Sequence, residues 1–283
     1  MKRAAVFTHH HPADTEVALT ALREAAPEHG FELLFSAEET ARHDFTDGPG
    51  IVTNVDFAAI QPDIAIVFGG DGSVLHALRE FAGSDVPTFG FNFGAIGFLT
   101  TVEPSELEPG LKLALTGEFE VLKLPGLRLR YGEIDLVGIN DVAFDRPRDA
   151  RVSELSYSLA GEQVGRVRCD GLVAATPAGS TGYNLANNGP ILAWGVEGYV
   201  ISFIAPHTLT ARALVAAPGD LLEVTNVSRR DSLEILIDGR AVGLLPVGEV
   251  ATVSFEDDVA SLAQLPGSSF YRRFREKFGR LAS

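Results

Sequence analysis

Along the first third of the chain, apolar residues come in short bursts whose spacing switches between two periods. The burst at 4–8 (Ala4, Ala5, Val6, Phe7) reads as a strand. Residues 15–28 then place Val17, Ala18, Ala21, Leu22 and Ala25 inward on an amphipathic helix. A second strand is expected at 31–35, followed by a polar, loop-like stretch at 36–50. Ile64, Ile66 and Val67 make a β-branched run that breaks at Gly69-Gly70-Asp71-Gly72, and Val74, Leu75 and Leu78 then resume helical spacing. Residues 87–92 read as another strand, leading into 92–99, where Gly94 and Gly97 suggest a second close backbone approach. Pro104 suits the first position of a helix running to about 115. Strand and helix alternating in this way predict an α/β domain, a parallel sheet with helices on both faces.

The texture changes near Gly117. Short alternating segments at 126–131, 134–144, 155–159, 199–204, 221–224, 233–238 and 249–255 are separated by Gly, Pro and Asp, which predicts a mostly β second domain. The tail at 269–279 is helical again, with Phe270, Phe274 and Phe278 four apart, and is expected to pack back on the first domain. The expected division is therefore 1–117 together with a helix at 268–283, and 118–267.

Composition narrows the function classes. A chain of 283 residues, 46% hydrophobic and 22% charged, has the make-up of an ordinary soluble protein with ample core. No apolar run approaches the roughly 20 residues of a membrane span. The opening residues turn polar too early for a signal peptide. The single cysteine, Cys169, excludes an internal disulfide and fits a reducing cytoplasm. A net charge of −15 argues against nucleic acid or an anionic membrane as partner. An anionic ligand would need a local positive site: a nest of N–H groups, a few arginines, or Mg²⁺.

Two stretches carry candidate chemistry. Strand, glycine turn and helix around Gly69, Gly70 and Gly72 point free backbone N–H groups at an anion, and glycine permits close approach and positive φ. Asp71 is odd beside phosphate, since like charges repel; it suits a hydroxyl proton or a metal there, or else a tight βα turn with a capping Asp. The second stretch, 169–190, runs from an apolar strand into Thr176-Pro177-Ala178-Gly179-Ser180-Thr181-Gly182 and an apparent helix start. It reads as a second phosphate-friendly turn with exposed hydroxyls and N–H groups, or as a Ser/Thr-capped turn. Asp170 is suited to an amide or sugar hydroxyl, and Thr181 and Tyr183 to a base or phosphate. His9, His10 and His11 are adjacent in one loop and cannot easily converge on one ion, so a solvated loop is expected.

Taken together, Gly69-Gly70-Asp71-Gly72, Gly90 to Leu99, Asn140-Asp141, Asp170-Gly171 with Thr176 to Tyr183, Pro206 to Arg212 and Asp238-Gly239 resemble the NAD kinase family in order and over nearly the whole chain. Gly-Gly-Asp-Gly alone is weak, because lipid kinases and phosphofructokinases carry it; the 170–190 stretch is specific. The resemblance implies an α/β domain followed by a β-rich domain, substrate in the cleft, and a homodimer or homotetramer in which NAD contacts two subunits. It implies phosphorylation of the 2′-hydroxyl of the adenosine ribose of NAD by ATP or polyphosphate, with Mg²⁺ held through the donor phosphates.

On this resemblance Asp71 is the proton acceptor and Gly72 its neighbour on NAD. Asn140 and Asp141 hold ribose hydroxyls and base, Asp170 binds NAD away from the reacting ribose, and Thr181, Gly182, Tyr183 and Ala186 surround the nucleotide. Gly69, Gly70, Gly72, Ser73 and Asn92 fall to the ATP phosphates. His76, Arg151 and Arg240 occupy further NAD positions, and a basic residue at Arg168 accompanies preference for NAD over NADH. Departures from the family pattern are Ser73 for Thr, Ala178 for a hydroxyl residue, Asn187-Asn188 for small residues, and Ala95 where a polar or basic residue is common. A lipid or diacylglycerol-type kinase of the same fold is disfavoured by the lack of an apolar or basic membrane-facing stretch. A non-catalytic nucleotide-binding regulator is disfavoured because it would not need Asp71.

Overall fold

The β-branched run becomes the centre of a sheet. In the computed structural model, which describes residues 1–94 and 97–279, the first elements are β1 (Lys2–Thr8), α1 (Glu16–Glu28), β2 (Phe31–Leu34), α2 (Ala37–His43), β3 (Ile51–Val52), β4 (Ile64–Gly69), α3 (Asp71–Glu80), β5 (Pro87–Asn92) and α4 (Leu107–Thr116). The strands pair in parallel in the order β5-β4-β1-β2-β3. All six residues of β4 are buried, as a strand covered on both faces requires. On one face, Leu19 and Leu22 of α1 and Leu111 and Leu115 of α4 pack with Ile66, Phe68 and Phe91. On the other, α3 buries Val74, Ala77 and Leu78, and Phe7 meets Phe81 edge-on at 6.0 Å. Helices therefore cover both faces, as the alternation predicts.

Several local readings differ: the helix expected from Pro104 begins at Leu107, after a 3-10 turn at Pro104–Glu106. The buried stripe of α1 is Ala18, Leu19, Leu22 and Ala26, while Val17 is 78% exposed. Tertiary packing thus rotates the inward face about one residue from the expected one. The polar 36–50 stretch contains α2, whose N-cap Ser36 accepts from the Glu39 amide at 3.2 Å. This helix lacks an apolar stripe because a buried polar contact anchors it: Glu39 accepts from Thr8 N at 3.1 Å and Thr8 Oγ1 at 2.6 Å.

The following strands are β6 (Glu120–Tyr131), β7 (Ile134–Gly138), β8 (Asp141–Asp145), β9 (Ser153–Leu159), β10 (Glu162–Cys169) and β11 (Gly171–Ala175). A short helix, α5 (Tyr183–Ala186), precedes β12 (Tyr199–Ile204), β13 (Leu214–Ala216), β14 (Leu222–Asn226), β15 (Leu233–Ile237), β16 (Arg240–Leu245) and β17 (Val250–Gln264). One antiparallel sheet runs β13-β12-β11-β8-β15-β16, and β10-β9-β14-β17 form another antiparallel run with β6 and β7 alongside. Phe144, Leu172, Tyr199 and Ile235 from the first meet Leu155, Val224 and Val253 from the second in one core. The expected strand at 134–144 is split at Ile139-Asn140 into β7 and β8.

The chain divides into unit 1, residues 1–123 with 260–283, and unit 2, residues 124–259. These boundaries differ from 117 and 268 because β6 starts at Glu120 and β17 runs unbroken across residue 259. The end of β17 joins the parallel sheet of unit 1, Ser261 opposite Pro87 and Leu262 opposite Thr88. The tail helix α6 (Phe270–Phe278) belongs to unit 1, where the Phe278 and Phe98 rings lie 5.4 Å apart and Lys277 pairs with Glu103 at 3.2 Å. Residues 280–283 of the expected helix lie outside the described residues. No helix among the described residues is long and apolar enough to cross a membrane.

Candidate active site

In unit 1 the sheet reverses its winding between β1 and β4: the chain steps from β1 to β2 and β3 on one side, and from β4 to β5 on the other. Ligands of such sheets bind beyond the carboxyl ends of the strands at this point. The Gly-Gly-Asp-Gly turn sits there, at the end of β4. Its glycines are needed for space, and Gly69, Gly70 and Gly72 all avoid positive φ, contrary to one of the expected reasons for them. A Cβ on Gly69 would lie 2.3 Å from Ser73 Oγ, and one on Gly94 would lie 2.8 Å from Gly70 Cα. The two glycine loops therefore touch back to back. A Cβ on Gly72 would meet no atom of the described residues within 4 Å, leaving that flank of the turn open.

Asp71 is the first residue of α3, and its carboxylate is held rather than free. Oδ2 accepts from Phe98 N at 2.9 Å and Oδ1 from Leu99 N at 2.8 Å. Burial pushes its pKa above the ordinary carboxylate range, opposed by those amides and by the charge of Arg273. Asn92 is also committed: Nδ2 donates to Glu103 at 3.2 and 3.1 Å, and Oδ1 accepts from Gly94 N at 3.2 Å. It shapes the 92–94 turn, and its amide is already engaged within the protein. His76 of α3 sets its ring edge-on to Phe7, centroids 5.6 Å apart. Ala95 lies outside the described residues.

Unit 2 gathers a second constellation around the end of β8. Asp141 and Asp145 share one strand face, being four residues apart at period two. The Asp238 carboxylate, in the hairpin loop between β15 and β16, accepts from the amides of Ile139 (3.1 Å), Asn140 (2.7 Å) and Asp141 (3.1 Å). Asp238 and Gly239 both take positive φ (48° and 75°), as a two-residue turn between twisted strands demands. Behind Asn140, Thr176 Oγ1 donates to Ile139 O at 2.7 Å, and a Cβ on Gly179 would fall 1.9 Å from Asn140 O. Glycine is required there for the backbones to meet.

Charge defines this cluster. Asp141, 5% exposed, has its pKa pushed up to about 7 by burial and then by Asp238 and Asp145. Asp145 is likewise raised by burial, and Tyr183 OH donates to its Oδ2 at 2.8 Å. Asp145 Oδ1 and Asn140 Oδ1 are buried acceptors with no partner among the described residues. Orphaned buried acceptors are costly, and a ligand bearing hydroxyl or amine donors would satisfy them. Asp170 lies in a bidentate pair with Arg146 at 2.6 and 3.2 Å.

The 176–184 stretch turns its hydroxyls inward, against expectation. Ser180 Oγ donates to Pro177 O at 2.7 Å and accepts from Leu192 N at 2.9 Å; Thr176 and Ser180 are fully buried. Even Thr181 Oγ1 donates locally, to Ala178 O at 3.2 Å. The turn itself takes up these hydroxyls, and Gly182 and Ala186 are exposed beside the half-buried Tyr183. Arg240 opens β16 next to the Asp238-Gly239 turn.

Arg151 and Arg168 line a groove of about 940 Å³ together with Arg146, Arg229 and Arg230. Five arginines against two acids, Glu154 and Asp231, form a cationic patch in a chain of net charge −15. Arg168 lies on β10, which stops at Cys169, so Asp170 lies beyond that strand. Among the described residues, no three His, Cys, Asp or Glu side chains are grouped closely enough to hold a metal ion.

Sequence reasoning brought Asn140, Asp141, Asp170 and Tyr183 to notice, and the fold assembles them around Asp145. It missed Asp145, Arg146, Arg229, Arg230, Asp238 as a main-chain acceptor, and Arg273. The period-two spacing of Asp141 and Asp145 was a usable signal; the others depend on contacts distant in sequence.

Known proteins resemble this chain over nearly its whole length. Residues 36–119 match the family model of the ATP-NAD kinase N-terminal domain, and 139–262 that of the ATP-NAD kinase C-terminal domain. The NAD kinase of Rhodopirellula baltica is 35% identical over 234 residues, covering 79% of this chain and 74% of that protein. The NAD kinase of Gemmatimonas aurantiaca is 30% identical over 285 residues, covering 98% and 96%. Among solved structures, an NAD kinase from Archaeoglobus fulgidus in complex with ATP superposes with a TM-score of 0.72 at 25% identity, covering 99% of this chain and 98% of that one. Yeast NADH kinase complexed with NADH gives a TM-score of 0.86 at 20% identity, covering 100% and 89%, a likeness of fold.

Proposed function

The chain belongs to the NAD kinase family, and from that premise we propose that it transfers the terminal phosphoryl group of ATP to the 2′-hydroxyl of the adenosine ribose of NAD, giving NADP. The observation that carries the reading is Asp71: a half-buried residue at the head of α3 whose carboxylate is held by two amides, beside a glycine turn whose flank the described residues leave open. A module that only bound nucleotides would gain nothing from a carboxylate next to phosphates.

Phosphoryl transfer depends on positioning and charge neutralisation more than on covalent chemistry. Asp71 orients the ribose hydroxyl and accepts its proton late, and the upward shift of its pKa makes it a better acceptor. The orphaned Asn140 and Asp145 oxygens, with Asp141, take the hydroxyl and amine donors of the nucleoside. Tyr183 braces Asp145, and Asp170, fixed by Arg146, holds the dinucleotide away from the reacting hydroxyl. Arg151 and Arg168, with Arg229 and Arg230 beside them, offer positive charge to the dinucleotide's anionic part. Gly69, Gly70, Gly72 and Ser73 present the turn to the donor phosphates.

Mg²⁺ is bound in this reading mainly through donor phosphates and water, where it neutralises developing charge. The working form is a homodimer or homotetramer located in the cytoplasm, consistent with a lone, buried, unpaired Cys169. The test is direct. Purified protein given NAD, Mg²⁺ and either ATP or polyphosphate is scored for NADP; product with ATP supports the reading, and none with either donor refutes it.

A further inference from the structure

Arg273 lies on α6, outside every motif that pointed to nucleotide chemistry, yet it is tied into the surroundings of Asp71. Its Nη1 donates to Phe98 O at 2.8 Å and to Thr100 O, and its Nη2 donates to Gln264 Oε1 at 2.7 Å. The amides that fix Asp71 belong to Phe98 and Leu99, within the same short segment. We propose that Arg273 is the positioning residue for the reacting carboxylate, holding residues 98–100 so that their amides aim Asp71 at the acceptor hydroxyl. The proposal rests on the reading of Asp71 as proton acceptor.

The chemistry favours arginine at this place. Its planar fork spans two main-chain carbonyls and a side-chain carbonyl at once, which an ammonium on a flexible stem does not reproduce. Each carbonyl it holds is bonded to the next residue's amide, so fixing Phe98 O fixes the peptide plane that carries Leu99 N–H. Leu99 N is one of the two donors to Asp71. The segment has little slack: a Cβ on Gly97 would lie 2.4 Å from Thr100 Oγ1 and 2.7 Å from Asn92 Nδ2. Lys277 on Glu103 and the Phe278 ring on Phe98 also fasten α6 to this segment, without aiming charge at Asp71.

Arg273 also acts through its field. Among the described residues it is the charged group that lowers the Asp71 pKa against burial. It is faced in turn by Glu276 on its own helix and Glu103 from the preceding segment, while burial lowers its own pKa. Removing the guanidinium removes both the amide geometry and the opposing charge, so Asp71 should hold its proton to higher pH.

The experiment compares Arg273→Met, Arg273→Lys and Phe278→Ala with wild type. It reads kcat, KM for NAD, thermal midpoint, and the acid limb of kcat against pH. Arg273→Met should lower kcat by about tenfold or more with KM changed less than about threefold, and should move the acid limb upward. Arg273→Lys restores charge without the fork, so it should return the limb toward wild type while kcat stays several-fold low. Phe278→Ala should lower the thermal midpoint and leave the limb in place. The proposal is overturned if folded Arg273→Met keeps the wild-type limb, or if Phe278→Ala moves it equally. If Arg273→Met does not fold, a wild-type kcat in Arg273→Lys overturns it instead. Asp71→Asn in the same series separates the readings: substantial turnover there removes the proton-acceptor assignment, whereas a dead Asp71→Asn beside an unaffected Arg273→Met removes only the role of Arg273.

Discussion

At the scale of single residues, two carboxylates with raised pKa do different work. Asp71 is aimed by two amides, and Asp71→Asn keeps its size and one of the two acceptor oxygens, sets an NH2 against the other amide, and loses the carboxylate that takes the proton. Its kcat should fall by about 10²–10⁴, roughly 3–5 kcal/mol of barrier, with NAD affinity largely intact. Retention of more than about a tenth of the rate would make the turn structural. Asp170→Asn should instead raise KM for NAD, as the proposed role of the Arg146-paired Asp170 in holding substrate requires. Burial, with Asp238 and Asp145 beside it, pushes the Asp141 pKa up to about 7, above an unfolded value of about 4. The folded state therefore binds the extra proton between those values, and stability falls as pH rises through that window. Asp141→Asn lacks this loss, so thermal unfolding should show it gaining on wild type between pH 5 and pH 8. A constant difference across that range would contradict the shift.

At the scale of elements, the two glycine loops make separable demands. Gly94 is packed against Gly70, so Gly94→Ala must push the loops apart and should lower both thermal midpoint and turnover. A Cβ on Gly72, the second residue of α3, meets none of the described residues, so Gly72→Ala should keep or slightly raise stability, by up to about 1 kcal/mol, while raising KM for nucleotide. If Gly72→Ala has wild-type kinetics, that flank does not receive a ligand. The same scale shows why some elements escaped sequence reading. Helix α2 has no apolar stripe because Glu39 anchors it through Thr8, and β10 exposes most of its residues, so neither shows a clear hydrophobic period. The 176–184 hydroxyls look like ligand contacts in sequence, but close the turn on itself in space.

At the scale of the whole molecule, unit 2 leaves Val164 (47% exposed), Leu209 (92%), Leu214 (38%) and Val215 (47%) uncovered near the β10 and β13 sheet edges. Unprotected edges with apolar side chains favour self-association. Light scattering should therefore return a multiple of 30.2 kDa, and Val215→Asp should shift it toward the single chain. A wild-type mass of one chain under assay conditions would exclude the oligomer. The sequence alone determined the two-part architecture, because the period of apolar residues is a local property: near-continuous burial in 64–69, alternation after 117. It also determined which turns carry Asp71, Asn140, Asp141 and Asp170, because glycine and carboxylate patterns are local too. Only the tertiary structure decided that Asp145 and Asp238 join that cluster, that five arginines share one groove, and that Arg273, about 200 residues from Asp71, holds the segment that aims it. Those pairings depend on strand register and on a tail folded back onto the first sheet, contacts between residues far apart in the chain that no local period encodes.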